Sequence, residues 1–151
     1  MSSNQLTHLI NLPKYLDYPP SYLIVPRSGN HTRYTLHSYQ LQFELDINRA
    51  GHRLEKCTFQ LRQQHLILVR LDLIGRTHLN PPGNYPYANQ AIPCPHIHLA
   101  DYRSDGIAIA LPLPASIVRI DISDANILLI LIIFLQRINV VNRNYFTYKV
   151  H

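Results

Sequence analysis

The sequence predicts an α+β fold, with an antiparallel sheet of about five strands packed on a C-terminal helix. Three observations carry this reading. Apolar and polar residues alternate with period 2 through most of residues 41–73. Shorter strand-like runs bounded by Pro and Gly follow, and an apolar stretch with helix start and stop residues lies near the C-terminus.

Taken in order, residues 4–17 read as a short helix that stops before Pro19 and Pro20. Residues 18–40, rich in Pro, Tyr and Ser, read as an ordered approach segment. In residues 41–49, Leu41, Phe43, Leu45 and Ile47 alternate with Gln42, Glu44 and Asp46, the mark of a half-buried strand. After a turn at Ala50-Gly51, residues 53–61 alternate again, with Cys57, Phe59 and Leu61 opposite Thr58, Gln60 and, just beyond them, Arg62. Residues 65–73 form the third strand, and short turns make the three an antiparallel meander.

A long loop from Ile74 to Cys94 holds Pro81, Pro82, Gly83, Pro86 and Pro93, and loops of that length in compact domains are often functional. A fourth strand covers residues 95–99. A turn at Ser104-Asp105-Gly106 leads to a fifth over residues 107–111, closed by Pro112 and Pro114. Ser123 or Asp121 caps the helix, Asp124 suits its first turn, and Arg137 lies near its end. Residues 140–151 read as a last edge strand. The whole is expected to form one domain over 1–151: helix and approach segment (1–40), sheet (41–111), helix and tail (115–151).

The totals bound the function. Hydrophobic residues make up 46% and charged residues 15%, which fits a folded chain rather than a disordered one. A net charge of +5, with nine His in reserve, favours acidic partners such as RNA. Cys57 and Cys94 are too few for a disulfide framework and suit a reducing, cytoplasmic setting. The N-terminus lacks a signal-peptide layout, and the apolar run Ile127 to Leu135 is about half the ~20 residues of a membrane span. No Walker loop, nucleotide-binding glycine motif, nucleophile elbow or H-E-x-x-H motif is present.

Side chains alternate along strands, so spacing tells which residues share a face. Burying Ile67, Val69, Leu71 and Leu73 turns Arg70 and Asp72 the other way. Burying Ile97 and Leu99 does the same for His96 and His98. One sheet face is then apolar, and the other gathers two His, two Arg, acids and amides. This suits RNA cleavage without a cofactor: one imidazole takes the 2′-hydroxyl proton, another protonates the leaving 5′-oxygen, and a cation stabilises the phosphorane. His96 and His98 are the acid–base pair in this reading, Arg70 or Arg62 holds phosphate, and Asp72 orients an imidazole. His78 closes over the site from the loop, while Tyr85, Tyr87 and Tyr102 offer stacking surfaces for bases. The competing readings are a hydrogen-bonded surface pair and a metal site drawn from His78, Cys94, His96 and His98.

The segments FELDINRAGHRLEKCTFQLR, LVRLDLIGRTHLNPPG and CPHIHLADY resemble a family of small proteins encoded on bacterial prophages and mobile elements. Its pattern runs D-I-x-R-x-G, R-x-D-x-x-G-x-x-H-x-N-P-x-G, then H-x-H. Those positions are Asp46, Arg49 and Gly51; Arg70, Asp72, Gly75, His78, Asn80, Pro81 and Gly83; and His96 and His98. More distantly, R-x-D followed by His and a His-rich strand is similar to TumE-type toxins of bacterial toxin–antitoxin pairs. That resemblance implies a small ribonuclease-like fold, an RNA substrate and a cognate antitoxin. Mobile elements also encode non-enzymatic inhibitors of host defence nucleases, including anti-CRISPR proteins. On that alternative the partner is a host nuclease complex and the histidines only stabilise the long loop. The apolar final helix leaves a homodimer as the alternative to burial within one chain.

Overall fold

Period-2 alternation builds a seven-stranded antiparallel sheet in the computed structural model, which describes residues 1–17, 22–51, 56–100, 109–114, 123–145 and 147–150. Helix α1 (Ser3–Asn11) is shorter than the sequence suggests. Ser2 and Gln5 close a reciprocal capping box at its start, and only Leu6 and Ile10 are buried. Next come β1 (Tyr15–Leu16), β2 (Tyr22–Val25), β3 (His31–Ser38), β4 (Leu41–Asn48), β5 (Cys57–Gln63) and β6 (Leu66–Ile74). The long loop holds β7 (His78–Leu79) and β8 (Ala91–Ile92), followed by β9 (His96–Leu99) and β10 (Ala110–Pro112). Helix α2 (Asp124–Arg137) and β11 (Thr147–Val150) complete the chain.

The main sheet has the order β1-β3-β4-β5-β6-β9-β10, every neighbouring pair antiparallel. The expected meander is its centre. Two strands of the sheet, β1 and β3, come from before residue 41, so residues 31–38 are sheet and not approach segment. The C-terminal strand β11 is present but pairs in parallel with β2 in a separate two-stranded sheet. The expected fifth strand is described only from Ile109 onward, as β10; the Ser104–Gly106 turn and the Asp121 cap lie outside the described residues.

Phe43, Leu45, Ile47, Cys57, Phe59 and Leu61 bury one face of the sheet beneath α2, which contributes Ile127, Ile130, Leu131, Phe134 and Leu135. The rings of Phe59 and Phe134 lie 5.9 Å apart. Ser123 caps α2 by accepting from the Asn126 backbone. At the other end Asn139, at φ 58°, closes a Schellman motif: its N–H reaches Gln136 O and that of Val140 reaches Leu135 O. Among the described residues, no helix is long and apolar enough to cross a membrane.

One expectation about the core fails. Pairing slips between Leu61 and Arg62, so Leu61 faces Val69 while Arg62 faces Ile67. The extra residue is Leu68, and this bulge lets Leu68 and Val69 both enter the core. Ile67 is turned to the polar side, where it borders a groove with Arg62 and His65.

Candidate functional site

Strand register sets two rows of polar side chains across the face opposite α2. One runs Arg33, Asp46, Gln60, Arg70, His98 over β3, β4, β5, β6 and β9. The next runs His31, Asn48, Thr58, Asp72, His96. The rows converge on Asp72. Its Oδ2 lies 3.1 Å from His96 Nε2 and 3.4 Å from His98 Nε2. Arg70 donates to the same oxygen from Nε at 3.1 Å and approaches it with Nη2 at 3.0 Å. Thr58 donates to the other carboxylate oxygen at 3.0 Å. Arg70 Nη2 is also 3.1 Å from His98 Nε2.

His78 joins this group from the loop. Its ring sits edge-on to that of His98, with centroids 4.8 Å apart, and 6.1 Å from that of His96. The loop is ordered by its own ladder, His78 to Ile92 and Leu79 to Ala91, and by Asn80. The Asn80 amide accepts from Ala110 N at 2.7 Å and donates to Ala110 O at 2.9 Å, pinning the loop to edge strand β10. Gly83 lies so close under Tyr85 that a Cβ there would meet the ring. The motif positions Asn80 and Gly83 thus shape the loop, and Asp72, His78, His96 and His98 share its floor.

The strand histidines are buried. His96 is 1% exposed and His98 0%, because the loop covers this end of the sheet. Burial disfavours the charged form of both His96 and Asp72, but their partners outweigh it. Asp72, with hydrogen bonds to His96, His98 and Thr58 and the Arg70 charge nearby, is held far below the usual carboxylate range. His96, bonded to Asp72 and close to Cys94 and the Pro93 carbonyl, is raised to about 10.

Other expected site residues are elsewhere. Arg62 binds Asp46 at 2.8 Å and also pairs with Glu44, in a cluster completed by Arg33. It lies in a different part of the face from the histidines because its register partners are Glu44 and Ile67. Tyr85 bonds the Pro81 carbonyl and lines a cleft with Leu99, Leu111, Ser3 and Arg137, on the helix-covered side of the sheet edge. Tyr87 is 41% exposed on the loop, and Tyr102 lies outside the described residues. Cys94 does not converge with the imidazole Nε2 atoms; its Sγ stands 3.7 Å from Nδ1 of His96. The group with metal-ligand spacing among the described residues is instead Asp72, His96 and His98.

Sequence reasoning missed Lys14. Fully buried, its ammonium donates to the carbonyls of Ile10, Leu12 and Ile138 at 2.7, 2.9 and 3.1 Å and lies over the Phe43 ring. It ties the C-terminal ends of α1 and α2 to the sheet. No local pattern marks it, since its partners are brought together only by the fold.

One family model, described as a family of unknown function (DUF6978), matches residues 1–140. No curated protein and no solved structure matches the chain.

Proposed function

The chain belongs to this family of unknown function, DUF6978, and from the site alone we propose a toxin-like endoribonuclease that works without a metal. The observation that supports this most is the gathering of Arg70, Asp72, His78, His96 and His98 at one end of the polar sheet face. In the proposed reaction the RNA 2′-oxygen attacks phosphorus as an imidazole takes its proton, and the 5′-oxygen leaves with a proton from a second imidazole. Arg70, whose side chain is 29% exposed, faces the phosphorane charge. His96, held as an imidazolium beside Asp72, suits the acid or a fixed cation better than the base. That leaves His98, whose Nε2 lies 3.1 Å from Arg70 Nη2, or His78 as base. Because both strand histidines are buried, the β7–β8 ladder must lift for RNA to reach them.

That burial also supports a second reading. Here the histidines only lock the loop, and its exposed Leu79 and Tyr87 present a surface to a host nuclease. One assay separates the two. Purified protein and its His96→Ala/His98→Ala variant are incubated with a labelled RNA pool in chelator. Cleavage by the wild type alone supports the ribonuclease. A folded but inactive wild type that captures a defence nuclease supports the inhibitor.

A further inference from the structure

We propose that Asp72, His96 and His98 bind a zinc-class divalent metal ion, and that the bound ion silences the metal-free chemistry by occupying the imidazoles. The binding inference stands apart from the ribonuclease reading; its regulatory consequence rests on that reading.

Geometry is the first argument. Asp72, His96 and His98 each offer one ligand atom within 4.8 Å of the others, and Oδ2 of Asp72 lies 3.1 and 3.4 Å from Nε2 of His96 and His98. Metal–ligand bonds near 2.1 Å at tetrahedral or right angles need ligand atoms about 3.0–3.4 Å apart. The two distances to Asp72 already fall there.

The surroundings are those of a metal site. Nδ1 of His96 faces the Pro93 carbonyl at 3.2 Å, an acceptor that keeps this nitrogen protonated and directs Nε2 toward Asp72. A divalent cation binding here takes the place of the Nε2 proton that His96 directs at the Asp72 carboxylate, and bonds to both atoms. Thr58 holds the second oxygen of Asp72, as outer partners of ligating carboxylates do. Both imidazoles are buried. Arg70 shows that positive charge is favoured at this point: its Nη2 stands 3.0 Å from Asp72 Oδ2 and 3.1 Å from His98 Nε2. Its partly exposed side chain has room to swing outward when an ion arrives.

Ligand chemistry selects the ion. Two imidazoles and one carboxylate suit Zn²⁺ or Co²⁺ and do not suit Mg²⁺ or Ca²⁺, which prefer oxygen.

The test is titration of the purified full chain with Co²⁺ and Zn²⁺. We expect one ion per chain, visible absorption from bound Co²⁺, and paramagnetic broadening of the His96 and His98 ring resonances. Asp72→Asn and His98→Ala are expected to weaken binding by roughly 100-fold or more, and Cys94→Ser to leave it unchanged. The ring-resonance measurement needs only wild type, so it decides the matter even where a variant fails to fold. Absence of Co²⁺ binding, or broadening confined to other histidines, overturns the site. RNA cleavage in chelator that stops on one equivalent of Zn²⁺ supports both proposals. Binding without cleavage in any buffer supports the metal site and rejects the ribonuclease. Cleavage in chelator without metal binding does the reverse.

Discussion

The side-chain amide of Asn80 pairs with the backbone of Ala110 as a neighbouring strand would, filling both hydrogen-bonding positions of that edge residue. Asn80 is 1% exposed, so removing the amide leaves a buried N–H and a buried carbonyl unmet. Asn80→Ala is expected to cost about 3 kcal/mol in urea unfolding and to speed hydrogen exchange at the Ala110 amide. Asn80→Asp should be no milder, because a carboxylate would face the carbonyls of Tyr87 and Ala110. A variant as stable as wild type would show that the loop is held by something else.

Lys14 yields a prediction with an unusual sign. Burial pushes its ammonium down from 10.5 to about 8. Below pH 8 the lysine is charged in both folded and unfolded chains, so the full cost of burying the charge is present. Between about 8 and 10.5 the unfolded chain binds more protons, so this group makes stability rise with pH, by up to about 3 kcal/mol. Lys14→Met should be destabilised by about 3 kcal/mol near pH 7, because three buried carbonyls lose their donor. Wild-type unfolding free energy minus that of the variant should therefore increase across this alkaline range. A flat difference would contradict the lowered value.

Asp46 behaves in the opposite direction. Burial pushes its carboxyl up, but hydrogen bonds from Arg33 and Arg62 win and hold it below its ordinary 3.8. Its contribution is present above pH 4 and is lost as pH falls through the lowered folded value. Asp46→Asn is expected to cost about 2 kcal/mol at pH 7 and to flatten acid unfolding below pH 4. An unchanged acid limb would mean that the arginine pair contributes nothing to folding.

The central strands were legible because Phe43, Leu45 and Ile47, then Cys57, Phe59 and Leu61, alternate cleanly against polar neighbours. Strand β3 was hidden, since Leu36 is the one aliphatic residue among Thr32, Tyr34, Leu36 and Ser38 on its inward side. The Leu68 bulge left no mark at all, because in an apolar run a slipped register looks like an unslipped one. Spacing placed His96 and His98 on one face with Arg70 and Asp72, as the register shows. It could not show that the loop would bury them, because that depends on Asn80 reaching a strand 30 residues on. Arg62 and Tyr85 were set beside the histidines by shared face or shared loop alone; strand order and loop path separate them.

The most direct test of the proposed ribonuclease is a comparison of wild type with His98→Asn on end-labelled RNA in chelator, both proteins first shown to be folded by circular dichroism. Attack by the 2′-oxygen predicts fragments ending in a 2′,3′-cyclic phosphate, formed at least about 100-fold more slowly by the variant. Intact RNA with folded wild type, or equal cleavage by both proteins, would contradict it.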